Sequence, residues 1–285
     1  MRWLTSKSPL LWVTVLAVLG AGLLAKGYWN ATRDPVVRTA HVRVGDWPEG
    51  EPPIEALLLS DIHVVGPDMP PERLERIVTR LNRLEPDMIL IAGDLVSDHR
   101  GATHVYTAGE VVAPLGGLRA PLGVIVVPGN HDHWFQPAAL RGELEALGIL
   151  VLQNEAVKAG PLVVGGVDDD YSGHDDVAAT LAAMDRIGGG VPVILTHSPD
   201  VIPEIDRPMA AHFAGHTHCG QIRVPLFGAV NHMSRYGARF ACGDIRDGKR
   251  RIFVGAGLGT SLLPLRYLTP PDVWFVTFGP RETRQ

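Results

Sequence analysis

The sequence has little cysteine, no excess of basic residues and no internal repeat. Only two of its 285 residues are cysteine, Cys219 and Cys242, and they form no CxxC motif. The low count argues against a thiolate metal site and against a framework of disulfides. The formal net charge is -5, so the chain has no basic surface of the kind that binds nucleic acid, and we expect no nucleic-acid partner.

Histidine and apolar residues are abundant instead. There are 12 histidines, so a metal site in this chain would use nitrogen and oxygen ligands. The chain is 46% hydrophobic and long enough to bury a sizeable core. Composition therefore favours one large catalytic domain with an appendage, and it says nothing about the oligomeric state.

An apolar run from Pro9 to Ala25 is followed by the interfacial pair Tyr28-Trp29, which is typical of a membrane-spanning segment. A cleaved signal peptide is the alternative, but the end of the run has no clear cleavage site of small residues. We therefore predict an uncleaved anchor over residues 1–29. Basic residues flank both sides, so the positive-inside rule leaves the orientation open. They are Arg2 and Lys7 before the run, and Lys26, Arg33, Arg38 and Arg43 after it.

Residues 30–53 are rich in proline and carry scattered charges. This composition predicts a tether, with one edge strand near Val36–Val44. The remaining residues, 54–285, are predicted to form the catalytic domain. Near its end, Val273–Phe278 alternates between apolar and other residues, which predicts an edge strand or final strand.

Five short apolar runs within this domain each stop at residues that can bind metal. The runs are bounded by glycine, proline or polar residues, as expected of buried strands. They are Ala56–Leu59, Met88–Ala92, Val124–Val127, Val193–Leu195 and Ala210–Ala214, and they lead into Asp61-Ile62-His63, Gly93-Asp94, Gly129-Asn130-His131-Asp132, His197 and Gly215-His216-Thr217-His218.

Helical patterns alternate with these runs. Apolar residues recur at helical spacing between Pro70 and Pro86, between Pro137 and Gly148, and from Asp175 to Ile187. Alternating strands and helices predict βαβ units, in which the carboxyl ends of the strands share one edge. We therefore expect the five polar segments to meet at that edge.

The last segment, Gly215-His216-Thr217-His218, places two imidazoles one residue apart, so that both rings could face one cluster of metal. Two histidines in a loop are more often surface or core residues than metal ligands. Whether these two bind metal therefore depends on the other four polar segments, which we call blocks together with this one. In order, the blocks read D-x-H, G-D, G-N-H-D, H and G-H-x-H. This order resembles the calcineurin-like metallophosphoesterases, and features of the tail resemble their membrane-anchored bacterial branch related to YkuE and YaeI.

The resemblance implies a four-layered α/β/β/α sandwich behind an N-terminal transmembrane helix. It also implies two divalent metal ions, of which Mn, Fe or Zn suit the ligands, and a metal-bridging hydroxide that attacks phosphorus. The implied ligands are Asp61, His63, Asp94 and His218 for one ion, and Asp94, Asn130, His197 and His216 for the other, with Asp94 as the bridge.

By the same resemblance His131 contacts the phosphate and protonates the leaving oxygen, and Asp132 orients it. A loop histidine bonded to backbone is the alternative. Residues 98–100 could line the site or form a solvated turn. His133 and Trp134 could likewise line the site or pack in the core. The run Asp168-Asp169-Asp170 is interpreted as an acidic turn. Cys219 replaces a residue that is usually glycine in this branch, and it could pair with Cys242 only in an oxidising compartment.

The segments after the last predicted ligand are unusually apolar for loops. They include Leu226-Phe227, Leu262-Leu263 and Tyr267. One interpretation is a groove for acyl chains near the membrane, with Arg266 as a phosphate contact. The other interpretation, which we favour, is that these residues form the core of a second sheet.

The resemblance thus implies hydrolysis of a phosphodiester or pyrophosphate bond, and together with the apolar run it predicts a location at the inner membrane of a bacterial cell. One hypothesis is a lipid-linked substrate such as UDP-2,3-diacylglucosamine in lipid A assembly, which needs a domain on the cytoplasmic face. An alternative is an extracytoplasmic cell-envelope phosphodiesterase or phosphatase. A third is a non-catalytic binding module stabilised by metal. The G-N-H-D block argues against a protein Ser/Thr phosphatase, which carries G-N-H-E.

Overall fold

Each predicted apolar run forms a strand, and the strands build two six-stranded sheets. The computed structural model describes residues 9–97 and 101–281. In chain order the strands are β1 (Val36–Val44), β2 (Ile54–Leu59), β3 (Met88–Ala92), β4 (Val124–Val127), β5 (Leu150–Val151), β6 (Glu155–Ala159), β7 (Leu162–Gly166), β8 (Val191–Leu195), β9 (Ala211–Ala214), β10 (Arg223–Val224), β11 (Gly228–Ala229), β12 (Gly243–Asp247), β13 (Arg250–Val254) and β14 (Asp272–Pro280).

The first sheet has the order β1-β14-β2-β3-β4-β5 and the second the order β12-β13-β9-β8-β7-β6, while β10 and β11 form a separate hairpin. Strands β2 to β5 run parallel, and so do β7, β8, β9 and β13. Parallel strands deliver their carboxyl ends to one edge of a sheet. The loops that carry the predicted ligands therefore lie at these edges.

The helices in chain order are α1 (Pro9–Thr32), α2 (Pro71–Leu81), α3 (Ala108–Val112), α4 (Asn130–Trp134), α5 (Pro137–Ala146) and α6 (Val177–Ile187), with short 3₁₀ helices between them. Helices α2, α3 and α5 cover the outer face of the first sheet and α6 covers that of the second, whereas α1 is almost entirely exposed. The helix predicted after Pro70 begins at Pro71, where the fixed φ of proline suits a first helical residue.

The alternation of side chains along the strands explains the layers. On β2, Leu57 faces the core that includes Leu74 of α2, whereas Leu58 faces the core shared with Phe213 of the second sheet. Met184 of α6 packs on the far side of the second sheet. The order of layers is helix, sheet, sheet, helix, which confirms the predicted α/β/β/α sandwich.

Helix α1 ends three residues beyond the predicted anchor boundary. Within the described residues it is the one helix long and apolar enough to cross a membrane, over Leu10–Thr32. Its 24 residues correspond to a length of about 36 Å. The boundaries 1–29, 30–53 and 54–285 stay predictions of how the chain divides.

The segment predicted as a tether contributes a strand to the first sheet. Strand β1 pairs in parallel with β14 from Val36 opposite Asp272 to Val44 opposite Pro280. Because β1 occupies the edge as predicted, β14 lies inside the sheet between β1 and β2. The prediction that the last strand is final is correct, but it is not an edge strand.

Candidate metal centre

The loops that follow β2, β3, β8 and β9 are tied to one another by backbone hydrogen bonds. Asp61 N donates to Gly93 O at 3.0 Å, and His63 N donates to Asp94 O at 3.0 Å. In the second sheet, Gly215 N donates to His197 O at 2.9 Å. These bonds hold the predicted ligand blocks side by side at the carboxyl edge of the sandwich.

Asp61, His63 and His218 form the first cluster of potential ligands. His63 Nε2 and His218 Nε2 lie 3.0 Å apart, and His218 Nε2 lies 3.5 Å from Asp61 Oδ1. All three side chains are buried, and one ligand atom from each lies within 4.8 Å of the others. The structure thus brings together three of the four ligands that the resemblance implies for one ion.

Asp94, His197 and His216 form the second cluster, and Asn130 borders it. His216 Nδ1 lies 3.1 Å from His197 Nε2, and His197 Nε2 lies 3.2 Å from Asn130 Oδ1. The donor atoms are imidazole nitrogens, a carboxylate oxygen and an amide oxygen. This set of donors fits a divalent transition metal.

The carboxylate of Asp94 lies between the two clusters. Its Oδ2 atom is 3.5 Å from His63 Nε2 and 3.3 Å from His197 Nε2. Its Oδ1 atom accepts a hydrogen bond from His131 N at 2.9 Å. One carboxylate therefore faces both groups of ligands, as a bridging ligand would.

Backbone carbonyls orient two of the imidazole ligands. His63 Nδ1 lies 2.9 Å from Val96 O, and His197 Nδ1 lies 2.8 Å from Ala92 O. A proton on Nδ1 that bonds to a carbonyl leaves the lone pair on Nε2 for a metal. Both Nε2 atoms point towards Asp94, so the tautomer that a metal needs is the one that the fold supports.

Burial controls the protonation of the centre. It lowers the pKa of both His63 and His216 to about 3, and it lowers the pKa of His218 well below its ordinary value, so these rings are neutral. Burial, reinforced by the charge of Asp94, raises the pKa of Asp61 to about 7. Neutral imidazoles are the form that binds metal.

Asp94 and His197 form the charged pair in this environment. Burial opposes both charges, but the attraction between the two groups holds the pKa of Asp94 well below its ordinary value and raises the pKa of His197 well above it. The pocket therefore stabilises one positive charge beside Asp94. A bound cation would supply such a charge.

Two buried atoms also indicate an additional ligand. Among the described residues, Asp61 Oδ2 and His216 Nε2 are buried without a hydrogen-bond partner. An unpartnered carboxylate oxygen in the interior costs on the order of several kcal/mol unless a cation or donor satisfies it. The residues present thus fit a divalent metal ion at Asp61.

Most of the predicted ligands have a left-handed backbone. A non-glycine residue in this region costs roughly 1–3 kcal/mol and is most often found where function requires it. Positive φ angles occur at Asp61 (46°), His63 (49°), Asp94 (55°), His216 (67°) and His218 (49°). The chain turns sharply at these residues, directly beyond the strands, so that the side chains point into the centre.

Two glycines permit the close approach of the loops. A Cβ atom on Gly129 would lie 2.3 Å from Asp94 Oδ1, and one on Gly93 would lie 2.6 Å from Gly129 N. Both distances are shorter than any van der Waals contact. The glycines of the G-D and G-N-H-D blocks are thus required because the two loops touch there.

His131 lies at the border of the first cluster. Its ring is edge-on to His63 at 5.0 Å between centroids and contacts Trp134 at 5.2 Å. The side chain is partly exposed, unlike the ligands around it. The His131 ring thus lies where solvent reaches the edge of the ligand clusters.

Asp132 makes contacts that were not predicted. Its Oδ1 atom accepts hydrogen bonds from Leu95 N at 2.8 Å and Val96 N at 3.3 Å, and its Oδ2 atom accepts one from Gly129 N at 2.9 Å. The carboxylate thus joins the loop after β3 to the loop after β4. These bonds assign Asp132 to positioning of the loops, and its role in orienting His131 stays a prediction.

Arg266 also differs from its prediction as a substrate contact. The side chain is fully buried, and its Nη2 atom donates to Ala256 O at 2.7 Å and Gly259 O at 2.5 Å. The same atom lies 3.3 Å from His218 Nδ1. A guanidinium saturated by backbone carbonyls and closed to solvent holds the loop behind His218 and does not reach a phosphate.

Sequence reasoning missed Tyr171, which lines the mouth of the centre. Its ring lies 4.6 Å from that of His216 and 6.2 Å from that of Trp134, between centroids. Trp134 and Tyr171 are both exposed, so Trp134 lines the site, as one of its two interpretations has it, and Tyr171 extends this wall. The available signal was the position of Tyr171 beyond β7, whose carboxyl end lies at the same edge.

The run Asp168-Asp169-Asp170 is built into the fold and is not a solvated turn. Asp168 Oδ1 pairs with His133 Nε2 at 2.7 Å, and the His133 ring stacks on His174 at 3.8 Å between centroids. Asp169 is fully buried. His133 therefore belongs to a structural network, and the predictions for residues 98–100 lie outside the described residues.

A comparison with known protein families shows which family this chain belongs to. A family model described as "Calcineurin-like phosphoesterase" matches residues 55–220, which is more than half of the chain and includes both ligand clusters. This chain belongs to the calcineurin-like phosphoesterase family. It is a metal-dependent hydrolase of phosphoesters, and its histidine and aspartate clusters suit divalent metal ions.

Similar proteins include membrane proteins. The chain is 30% identical over 215 residues to the uncharacterized metallophosphoesterase YkuE of Bacillus subtilis, with 72% of each chain covered. It is 31% identical over 283 residues to a transmembrane protein with metallophosphoesterase domain of Danio rerio, covering 91% of this chain and 61% of that one. Helix α1 and these relatives indicate a membrane anchor.

Solved structures are more distant. A 5'-nucleotidase precursor from Thermus thermophilus has a TM-score of 0.44 and 12% sequence identity, covering 79% of this chain and 55% of that chain.

Proposed function

We propose that the protein is a membrane-anchored hydrolase of phosphodiester or pyrophosphate bonds that works with two divalent metal ions. The observation that carries this proposal is the position of Asp94 Oδ2, which lies 3.5 Å and 3.3 Å from imidazole nitrogens of two different clusters. A carboxylate shared in this way is the arrangement of a two-metal site.

The residues divide into two sets around that carboxylate. Asp61, His63 and His218 would hold one ion with Asp94, and Asn130, His197 and His216 would hold the other. When bound, two ions such as Mn, Fe or Zn supply an activated water and bind the phosphoryl oxygens. Two carboxylates opposite two dications leave a net positive centre, which attracts a phosphate.

His131 would supply the proton for the leaving oxygen. Its backbone N–H is fixed to Asp94 Oδ1, which sets its distance from the metal ligands, and its ring is partly open to solvent. Trp134 beside it would limit access of water to that proton. A general acid in this position typically contributes about 10²–10⁴-fold to the rate.

The disulfide supports an extracytoplasmic domain. Cys219, which follows the predicted ligand His218, is bonded to Cys242 with a Cα–Cα distance of 4.6 Å. Disulfides persist in oxidising compartments such as the cell envelope. We therefore propose the extracytoplasmic face of a bacterial inner membrane, a choice that the charges around α1 leave open.

The anchor favours a substrate that is itself linked to a lipid. A cytoplasmic substrate such as UDP-2,3-diacylglucosamine would require the opposite orientation to the one that the disulfide favours. The proposal is therefore a lipid-linked phosphodiester or diphosphate at the outer surface of the inner membrane, with its headgroup unspecified.

The test is hydrolysis of bis-p-nitrophenyl phosphate beside p-nitrophenyl phosphate by the full-length protein in detergent, after metal stripping and restoration with Mn. We expect diester cleavage that returns with Mn and is lost in His131→Ala. A folded protein that holds two metal ions and cleaves neither compound would support the non-catalytic binding module instead.

A further inference from the structure

Six large apolar side chains beside the metal centre are exposed to solvent. Leu226 and Phe227 have relative exposures of 103% and 87%. We call this surface the apolar lip, and it consists of Leu226, Phe227 and Val230 on the β10–β11 hairpin and Leu262, Leu263 and Leu268 on the loop before β14. The interpretation of these segments as core of the second sheet is wrong for Leu226, Phe227, Leu262 and Leu263. Exposed apolar surface of this extent marks an interaction site.

The hairpin and the loop form one unit. Arg223 N donates to Tyr267 O at 3.0 Å, and Tyr267 N donates to Gln221 O at 3.1 Å. The Gln221 side chain donates from Nε2 to Leu263 O at 2.9 Å. The two parts of the lip are therefore held together, next to the loop that carries His218.

This unit is attached to the membrane helix. Tyr267 Oη donates to Leu23 O at 2.6 Å, Arg266 N donates to Gly27 O at 3.0 Å, and Asn30 Nδ2 donates to Arg266 O at 3.1 Å. A Cβ atom on Gly27 would lie 2.5 Å from Tyr267 Oη, so the helix and the loop are in close contact.

These contacts fix the depth of the loop. Leu23 lies four residues before Gly27, which is about 6 Å further along the helix towards its apolar centre. The residues Lys26, Tyr28 and Trp29 are of the kinds that lie at the boundary between membrane and water. Because Tyr267 reaches Leu23, a membrane crossed by α1 would have this loop at the level of the lipid headgroups or slightly below it.

We propose that the apolar lip sits in the interfacial layer of the bilayer, and that the metal centre takes acylated phosphoesters directly from the membrane. A cavity of about 190 Å³ lies inside the lip and is lined by His218, Ile222, Val230, Leu262 and Leu263 among others. A predicted metal ligand thus forms part of the cavity wall, and the apolar side chains beside it would suit an acyl chain. The inference about the substrate rests on the function proposed above, whereas the inference that the lip lies in the interfacial layer does not.

The first test measures immersion without using activity. Both native cysteines are in the disulfide, so a cysteine introduced into the full-length protein is the one free thiol. An NBD fluorophore is placed at Phe227→Cys, or at Leu262→Cys as a second position, and the protein is reconstituted in phosphatidylcholine and phosphatidylglycerol vesicles. The matched control is Lys158→Cys, because Lys158 is exposed and pairs with Val163 at the amino end of β7, away from the metal edge.

We expect lipids with a doxyl quencher near the headgroup to reduce NBD emission at positions 227 and 262 and to leave it intact at position 158. Equal emission at all three positions with and without quencher would overturn the proposal. This measurement does not depend on turnover, so it tests the position of the lip in the bilayer even if the proposed hydrolysis is wrong.

The second test compares two substrates of the full-length protein. Phe227→Asp should lower the ratio of the rate on a phosphatidyl diester in vesicles to the rate on soluble bis-p-nitrophenyl phosphate by about tenfold, the amount expected when one aromatic side chain leaves an apolar environment. An unchanged ratio would contradict entry from the membrane. Absence of cleavage of both substrates by the wild-type protein would instead contradict the proposed function.

Discussion

The metal centre and the apolar lip are neighbours, and each departs from the usual distribution of side chains in its own way. At the centre, ionisable groups such as Asp61 and His63 are fully buried, whereas at the lip Leu226 and Phe227 are exposed. Buried polar groups without partners and exposed apolar groups both cost free energy. The buried ionisable groups at the centre suit a bound cation, and the exposed apolar groups at the lip suit lipid.

The two regions also differ in how the fold supports them. The centre is built on loops that follow five strands, and backbone hydrogen bonds such as Asp61 N to Gly93 O fix it from several sides. The lip stands on one hairpin and one loop, and its position depends on contacts such as that of Tyr267 with Leu23. Substitutions should therefore affect chemistry at the centre and location at the lip.

The largest effect is expected at Asp94, because it faces both clusters. Asp94→Asn should remove one or both metal ions and lower turnover by more than the roughly 100-fold that loss of an outer-sphere partner costs. The matched control is Asp87→Asn at the other end of β3, where the side chain accepts a hydrogen bond from Glu55 N. Metal analysis and turnover should both remain near wild type in Asp87→Asn. Wild-type metal content in Asp94→Asn would contradict the bridging role.

The next effect separates chemistry from metal binding. His131→Ala should lower turnover by about 10²–10⁴-fold while metal content stays at the wild-type level, because His131 acts on substrate. His133→Ala on the same helix is the control, since His133 pairs with Asp168 behind the wall. We expect its turnover to fall much less than that of His131→Ala. Equal losses in the two variants would mean that His131 is structural.

A smaller effect is expected at the disulfide between the centre and the lip. The variant Cys219→Ser with Cys242→Ser opens a link across a sequence separation of 23 residues. Loss of such a link typically lowers the free energy of unfolding by about 2–4 kcal/mol. Urea unfolding of wild-type and variant protein in the same detergent measures the difference. Identical midpoints would show that the two thiols are not paired in the native protein.

The smallest effect concerns the ion pair behind the wall. Burial lowers the pKa of His133, but the bond to Asp168 outweighs it and raises the pKa overall, while the same bond and neighbouring donors lower the pKa of Asp168 against burial. A histidine whose pKa is raised on folding stabilises the fold below its unfolded value of 6.5, and this stability is lost as the pH rises through the folded value. The Asp168 carboxylate must be ionised to form the pair, and its contribution to stability is fully present only above its ordinary pKa of 3.8.

The pair should therefore contribute most between about pH 4 and 6.5, by under about 1 kcal/mol after screening by solvent. The free energy of unfolding of wild type minus that of Asp168→Asn, measured by urea from about pH 5 to 9, should decrease as the pH rises. A difference that grows with pH would contradict the pairing.

Much of the centre could be predicted because its residues obey a local rule. Each ligand block directly follows an apolar strand, and parallel strands bring their ends together, so Asp61, Asp94 and His197 needed no knowledge of side-chain packing. The alternation of strands and helices is likewise visible in the sequence, whereas the four-layered arrangement was implied by the resemblance to a known family.

The remainder depends on contacts between distant residues. An arginine among apolar residues indicates equally a phosphate contact or a buried guanidinium, and the carbonyls that enclose Arg266 become visible only in the folded chain. Tyr171 joins the wall because β7 lies beside β8 in the sheet. The apolar run around Leu262 resembles core in the sequence, and only the folded chain shows that Leu262 and Leu263 are exposed.

The most direct test of the two-metal centre is anomalous X-ray scattering from crystals of the full-length protein soaked with Mn. The account predicts two peaks, one among Asp61, His63 and His218 and the other among Asn130, His197 and His216, with the carboxylate of Asp94 bound to both. A single peak, or a second peak that Asp94 does not reach, would contradict it.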